Sequence, residues 1–272
     1  MAFNKNELIL DKVRSLTAHD LSTGEMLFRL TSLEDPSLAC TAEGEEIVDA
    51  IGAVITTLYR AKKATFSASN SLISLDLAAA QFGTKKEIAA KGSEIIVPTY
   101  EILTIAEGAT EVALGKLAEG TISYIYSLEN GEIATRYKNG SAASETDFVV
   151  GEKEVTLEDG TTVTVSNITL PTAVKSGKIY VEYSFKSENA NRIINKTSEF
   201  PKACSMKIFA YFRDKCNENL VYSGVIVSPK AKLNPEQVEL ALTATGKHAF
   251  EFQMMRDYCD DEAELFSIII AE

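Results

Sequence analysis

Residues 121–132 read Thr-Ile-Ser-Tyr-Ile-Tyr-Ser-Leu-Glu-Asn-Gly-Glu. Polar and apolar side chains alternate almost without fault from Thr121 to Leu128, which places them on opposite faces of an extended strand. Asn130-Gly131 then supplies the strongest short-range signal for a two-residue turn between antiparallel strands. The stretch therefore predicts a β-hairpin that buries one face and leaves the other in water.

The same pattern recurs along most of the chain. A second hairpin is predicted around Asp159-Gly160, and a third where residues 47–50 turn back near Gly52 toward residues 54–59. Further alternating segments are 178–185, 205–212, 220–227 and 250–254. These strands predict a mainly β protein, an antiparallel β-sandwich or barrel.

One α-helix is predicted to flank these strands. It covers residues 70–82, with Ser69 or Asn70 as its N-cap and Gly83 in the position of a C-terminal glycine. The apolar positions expected to be buried include Leu72, Leu75 and Phe82.

Composition limits the class of protein. The chain has 272 residues, 45% of them hydrophobic and 24% charged, which is ordinary for a folded globular protein. It carries 27 basic and 39 acidic residues, a net charge of −12, so nucleic-acid recognition through phosphate contacts is not expected. No apolar run reaches the roughly 18 residues of a membrane-spanning helix, and no secretory signal is visible.

Enzyme motifs are scarce. The two histidines, His19 and His248, are expected at surface or turn positions. Gly108 and Gly115-Lys116 resemble a phosphate-binding loop, but the glycine spacing is too long and Leu117 replaces the required hydroxyl. We therefore expect no catalytic residue and no enzymatic activity.

Cofactor and metal sites are not expected either. The four cysteines form no C-x-x-C pair and are interpreted as reduced, small buried hydrophobes: Cys40, Cys204, Cys216 and Cys259. Two acidic runs lack the ligand spacing of a calcium loop and are interpreted as solvated connecting turns. They comprise Asp257, Asp260, Asp261, Glu262 and Glu264, and Glu43, Glu45 and Glu46.

Four segments, in this order, resemble the tail tube proteins, or major tail proteins, of long-tailed bacteriophages. They are 64–70 leading into 72–82, 200–203 before 206–212, 227–233 followed by 238–243, and 247–252 with 257–259 and 265–270. The similarity extends from about residue 47 to residue 272.

This resemblance implies a structural role in the virion tail. The implied fold is a β-sandwich with one flanking helix and a long hairpin or loop that reaches neighbouring copies. Six copies would form a ring with a continuous inner barrel, and the rings would stack into a hollow conduit for genome delivery. The protein would be made in the host bacterial cytoplasm.

The resemblance also implies partners. They are a tape-measure protein in the lumen, tail terminator and baseplate or tip proteins at the tube ends, a sheath if the tail is contractile, and DNA that passes without specific binding. No membrane partner is implied. An acidic channel wall would repel the DNA backbone, so much of the excess negative charge is expected to face inward.

The domain organisation is expected to be simple. Residues 1–272 would form a single tail-tube-like domain, and residues 1–42 an N-terminal arm or an extra subelement, because their periodicity is weaker. Residues 137–200 would hold an insertion or elaborated hairpins, beginning with a loop at 137–145.

Three other functions remain open at this point. The chain could be another virion structural protein, such as a capsid, decoration or baseplate hub protein, although a hub usually carries the fold twice and no duplication is visible. It could be a carbohydrate-binding β-sandwich or a glycosidase. The absence of Trp opposes that, although the ten tyrosines could provide a stacking platform. A cytosolic enzyme of another type is opposed by the missing motifs.

Overall fold

The structure is a computed structural model that describes residues 7–217, 219–236, 238–243, 246–257 and 264–271. The protein is mainly β, with 60% of residues in strands and 3% helical, which confirms the predicted fold class. All but one of the strand pairs within the described residues are antiparallel; β9 and β10, defined below, are parallel. None of the described helical segments is long and apolar enough to cross a membrane.

The elements follow the chain in this order. The first part comprises β1 (Leu8–Asp20), β2 (Met26–Leu30), β3 (Leu33–Val48), β4 (Val54–Asn70) and α1 (Leu75–Phe82). The middle part comprises β5 (Glu87–Ile88), β6 (Ile95–Ile105), β7 (Glu111–Ala113), β8 (Tyr124–Glu129), β9 (Glu132–Asn139), β10 (Asp147–Thr156), β11 (Thr162–Thr169), β12 (Gly177–Ser187) and β13 (Asn191–Arg192). The last part comprises β14 (Ala203–Asp214), β15 (Val221–Leu233), β16 (Glu239–Leu240), β17 (His248–Met254) and β18 (Ser267–Ala271).

The chain divides into two compact units. The terminal unit consists of Met1–Lys86 and Ile193–Glu272, and the inserted unit consists of Glu87–Arg192. The inserted unit begins and ends on β5 and β13, which pair with each other and carry an Arg192–Glu87 ion pair of 2.6 Å. The expected single tail-tube-like domain stays a prediction, and the inserted unit starts well before the segment 137–200.

The terminal unit is built on one sheet with the strand order β2-β1-β14-β15-β17-β4-β3. β18 pairs with the first half of β15, and β17 pairs with the second half. The alternation predicted for residues 205–212 is present in β14, where Met206, Ile208 and Ala210 are buried. Residues 8–42 supply three strands of this sheet, and whether they also act as an arm in an assembly stays a prediction.

The helix is shorter than predicted. It begins after Ser74, whose hydroxyl accepts a hydrogen bond from the Leu77 backbone N–H at 3.3 Å, and it ends at Gly83 as expected. Gly83 has φ +72°, and a Cβ there would lie 2.2 Å from the Phe200 carbonyl oxygen, so only glycine fits. Leu72 lies before the helix and is exposed.

The predicted buried face of the helix is also displaced. Leu75 is 43% exposed and Phe82 is only partly buried, whereas Leu77 is fully buried. The prediction was wrong because Leu72 and Ile73 precede the helix at a spacing that fits its apolar face. They belong to the loop between β4 and α1.

The inserted unit has its own sheet and its own core. The strand order is β6-β12-β8-β9-β10-β11-β7, and the largest buried side chains include Phe148, Ile125, Ile168 and Ile179. The hairpins predicted at Asn130-Gly131 and Asp159-Gly160 are both present, with Gly131 at φ +87° and Gly160 at φ +82°. The predicted loop at 137–145 is partly wrong, because β9 extends to Asn139.

The burial of the helix gives a stability prediction with a control on the same helix. Leu77→Ala should lower the free energy of unfolding by about 2–5 kcal/mol, because Leu77 is fully buried in the core of the terminal unit. Leu75→Ala should change it by less than about 1 kcal/mol, because Leu75 is 43% exposed and lies outside the buried core cluster. Urea denaturation measures both, and equal effects of the two substitutions would contradict the helix placement.

Candidate assembly surface

The expectation of a surface or turn position was wrong for His248, and His19 lies in a strand instead of a turn. His19 is a partly buried residue of β1, and His248 is completely buried at the start of β17. The Nδ1 atom of His248 accepts the Ser74 backbone N–H at 3.3 Å, and its Nε2 donates to Gln81 Oε1 at 2.6 Å. His248 therefore attaches the helix to the sheet, and burial lowers its pKa to about 4.

The cysteines differ in their burial. Cys204 is buried in β14, as expected, and burial raises the pKa of its thiol to about 12. Cys40 and Cys216 are exposed, which corrects the prediction for these two residues. Cys259 lies outside the described residues.

The loop that resembles a phosphate site is occupied by the protein itself. The Gly115 backbone N–H donates to both carboxylate oxygens of Glu101, at 3.0 and 3.1 Å. Lys116 lies over the ring of Phe185, with its Nζ 5.8 Å from the ring centroid. The Gly115 amide that could bind a phosphate is thus already bonded to the Glu101 carboxylate, which is negatively charged as a phosphate is.

One of the two acidic runs differs from its interpretation as a turn. Glu43, Glu45 and Glu46 lie in β3, not in a connecting turn. Asp260, Asp261 and Glu262 lie outside the described residues, although Asp257 pairs with Lys230. No group of three or more metal-ligating side chains occurs in the part of the chain that the structure describes.

The largest unexplained surface is the projecting hairpin, which we define as residues 41–63 of β3, β4 and their turn. β17 pairs with β4 from Ala64 onward, so within the described residues the projecting hairpin pairs only with itself. Almost every side chain in it is exposed. The exposed apolar residues are Ile47, Val48, Ile51, Val54, Ile55, Leu58 and Tyr59.

The tip of the projecting hairpin is ordered. The Asp49 carboxylate accepts the backbone N–H groups of Ile51 and Ala53, at 3.0 and 2.8 Å. Gly52 has φ +83°, and its N–H donates to the Asp49 carbonyl oxygen. This turn holds the Ile51 side chain 90% exposed, so a defined backbone presents apolar surface to water.

Charged residues flank this apolar tip. Lys63 pairs with Glu43 at 3.0 Å, and Arg60 pairs with Glu45 at 3.5 Å, across the two strands. These pairs lie at the base of the projecting hairpin, away from Ile51. Exposed pairs of this kind contribute little to stability, but they fix the register and keep the base polar.

A second feature is the part of the sheet formed by β1, β14, β15 and β18. β2 pairs with β1 only from Leu16 to His19, so the outer edge of β1 is open over residues 8–14 among the described residues. The outer edge of β18 is open in the same sense, because β18 pairs only with β15. Four strands therefore end in two edges with unpaired backbone groups.

The solvent-facing side of these four strands carries basic side chains. Lys12 and Arg14 lie over the ring of Tyr211, at 6.0 and 5.7 Å from its centroid. Lys207 and Arg213 are on the same face by the alternation of β14, and Arg213 pairs with Asp11 at 2.9 Å. If this face lined a channel, the channel wall would be basic here and not acidic. The expected acidic channel therefore stays a prediction, and the charges on this face do not support it.

The sequence predicted a hairpin at this position but did not predict that its apolar side chains are exposed. The apolar residues on both sides of Gly52 resemble those of a core hairpin, and nothing local to them shows that β17 stops pairing at Ala64. The weak signal is the neighbouring run of three glutamates, which a buried strand would not carry.

Comparison with known proteins gives one family. The sequence model of the YomU/Tube protein family matches residues 8–268, which is nearly the whole chain. No curated protein matches the chain.

Burial of His248 predicts a pH dependence of stability. The pKa is about 4 in the folded protein against 6.5 for an ordinary histidine, so between these values the unfolded chain binds a proton that the folded chain does not. The full contribution is present above pH 6.5, and roughly 3 kcal/mol should be lost as the pH falls to 4.

Urea denaturation at pH 7 and pH 4 measures this loss in the wild type and in His248→Gln. Glutamine keeps a hydrogen-bonding group beside Gln81 but does not titrate, so the variant should lose less stability between the two pH values. An equal loss in both proteins would contradict the assignment of the proton to His248.

Proposed function

The chain belongs to the YomU/Tube protein family, and we propose that it is the structural subunit of a bacteriophage tail tube, in which hexameric rings stack into a hollow conduit for genome delivery. The observation that carries the proposal is the combination of open strand edges and an ordered apolar hairpin on the terminal unit. Both are costly on a lone protein and useful on one that assembles.

Ring closure would use the open edges of β1 and β18. An edge strand can accept a strand of the next copy, and a head-to-tail contact that closes after six copies would pair both of these edges in every copy. Ile268 and Ile269 of β18 are about half exposed, so the contact would also bury apolar surface. The four-stranded part of each copy would then join a continuous inner barrel.

Stacking would use the projecting hairpin. It extends by about 30 Å from the point where β17 stops pairing, at about 3.3 Å per residue. This reach and the apolar tip around Ile51 suit a contact with a copy in the adjacent ring. The polar base, with its Lys63–Glu43 pair, would remain at the rim of such a contact.

The remaining partners follow from the proposed tube. They are a tape-measure protein in the lumen, terminator and baseplate or tip proteins at the ends, a sheath if the tail contracts, and DNA in transit. Synthesis would take place in the host bacterial cytoplasm. The net charge of −12 supports passage of DNA without binding, and the basic residues Lys12, Arg14 and Lys207 would have to be offset by acidic groups elsewhere on the channel wall.

Electron microscopy of the purified chain tests the assembly. Six-fold rings or tubes are expected at high protein concentration, with the β1 and β18 edges at the contact between copies. Rings of another order, or monomers at every concentration, would contradict the proposal. A closed shell would instead favour a capsid or decoration protein.

Substitution in the projecting hairpin tests the stacking step. Ile51→Asp should leave the stability of the monomer within about 0.5 kcal/mol, because the side chain is 90% exposed, but should abolish the stacking of rings. Sedimentation velocity measures the assembly.

The matched control is Leu157→Asp, which places the same charge beside the tight turn of a hairpin in the inserted unit. It should assemble like the wild type. Normal tubes from Ile51→Asp, or an equal defect in the control, would contradict a specific role of the projecting hairpin.

A further inference from the structure

The solvent-facing side of the sheet in the inserted unit carries a row of tyrosines. Tyr180 of β12 lies opposite Tyr126 of β8, and Glu182 of β12 lies opposite Tyr100 of β6. The ring centroids of Tyr100 and Tyr180 are 5.5 Å apart, and those of Tyr126 and Tyr180 are 6.3 Å apart. Tyr124 extends the row along β8, so four tyrosines share one face of three neighbouring strands.

This face is separate from the core of the inserted unit. The alternate residues Ile125, Ile179 and Val181 are fully buried on the other side of the same strands. Tyr100 is 61% exposed and Tyr124 is 41% exposed. Paired strands therefore hold these rings on the side of the sheet opposite the core, where Tyr180 packs against Tyr100 and Tyr126, and the Arg136 guanidinium lies over Tyr124, 4.9 Å from its ring centroid. Tyr100 offers the most exposed ring of the row, as a binding surface requires.

A cleft of about 610 Å³ runs along this face, within the roughly 300–1,000 Å³ of small-molecule sites. Its second wall is the segment 119–123, which is fixed because the Glu119 backbone N–H donates to the Ser184 carbonyl oxygen at 2.7 Å and Ile122 is buried. Tyr100, Tyr124 and Tyr126 form part of the lining. The cleft is thus already shaped within one chain.

Hydrogen-bonding groups surround the rings. The Tyr180 hydroxyl donates to Glu182, which raises the pKa of Tyr180 to about 12 and keeps the hydroxyl protonated. The Glu119 carboxylate pairs with Lys186 at 3.0 Å, and the hydroxyl groups of Thr121 and Ser123 also face the cleft. The lining therefore offers both donors and carboxylate acceptors beside apolar ring faces.

This combination matches the chemistry of a neutral saccharide. A sugar ring has an apolar C–H face that stacks on an aromatic ring, and a rim of hydroxyl groups that bind carboxylates and side-chain hydroxyls. An anionic ligand such as a nucleic acid would meet the exposed Glu182 carboxylate, whereas Glu119 is already paired with Lys186. A quaternary ammonium group needs converging ring faces, but Tyr100 and Tyr180 stack on each other at an interplanar angle of 29° and form a strip instead.

We infer that the tyrosine face of the inserted unit is a binding site for a neutral oligosaccharide. Two or more sugar rings would lie along Tyr100 and Tyr126, with Glu182 accepting hydrogen bonds from their hydroxyl groups. The inference does not depend on tube assembly, because every residue of the site belongs to the inserted unit of one chain.

Isothermal titration calorimetry of the full chain with cellohexaose, chitohexaose and maltohexaose tests the inference. At least one of these neutral hexasaccharides should bind with a sub-millimolar Kd. Tyr100→Ala and Tyr126→Ala should each weaken that binding by about tenfold, and Glu182→Gln should also weaken it. Tyr100→Phe should keep most of the affinity, because it retains the ring.

Tyr59→Ala is the matched control, because Tyr59 is an exposed tyrosine of the terminal unit, and its binding should equal that of the wild type. If the alanine variants fail to fold, Tyr100→Phe and Glu182→Gln still separate the ring from the carboxylate. Absence of binding for all three saccharides, or binding unchanged in Tyr100→Ala and Tyr126→Ala, would overturn the inference. A change in self-association in these variants without saccharide binding would also overturn it and would identify the face as a protein contact.

Discussion

An open strand edge is the constraint on which the terminal unit depends. Backbone N–H and C=O groups at the edge of a sheet need partners, and a sheet that does not close within one chain must find them elsewhere. Among the described residues, β1 over residues 8–14 and β18 both end in such edges, while β14 and β15 between them have strand partners on both sides. The core packs the sheet into one stable form, and in the proposed tube the edges would join that form to neighbouring copies. The projecting hairpin adds apolar surface that only a partner can remove from water.

The inserted unit has a sheet of its own, separate from the sheet of the terminal unit. Its chain enters on β5 and leaves on β13, which pair with each other, so the insertion does not interrupt the strand order of the terminal unit. It buries its own core around Phe148 and Ile168. Surface features such as the tyrosine row can therefore differ without changing the edges on which the proposed assembly would depend.

Local rules predicted most of the elements, and they failed where a distant partner decides the outcome. Asn130 and Gly131 fix their hairpin because both adopt a positive φ in a two-residue turn. The second hairpin turns through three residues, 158–160, and Gly160 supplies the positive φ that closes it. The start of the helix was misplaced because Asn70 pairs with His248 and stays in β4. The burial of His248 and the exposure of the projecting hairpin depend on contacts far apart in sequence, with Gln81 in one case and with the end of β17 in the other. No residue signature marks a surface whose function is to pair with another copy, which is why the family resemblance was needed to predict assembly.

Hydrogen exchange measured on the dilute chain and on the assembled particle tests the central claim most directly. The account predicts that the amides of residues 8–14 and of β18 that face away from β14 and β15 exchange rapidly in the dilute chain and become protected on assembly, since these backbone groups then gain partners. Amides of the projecting hairpin that are not bonded between β3 and β4 should change in the same direction. Amides of β14 should be protected in both states, because both of its neighbours belong to the same chain. Equal exchange of the edges and the projecting hairpin in the two states would contradict the account.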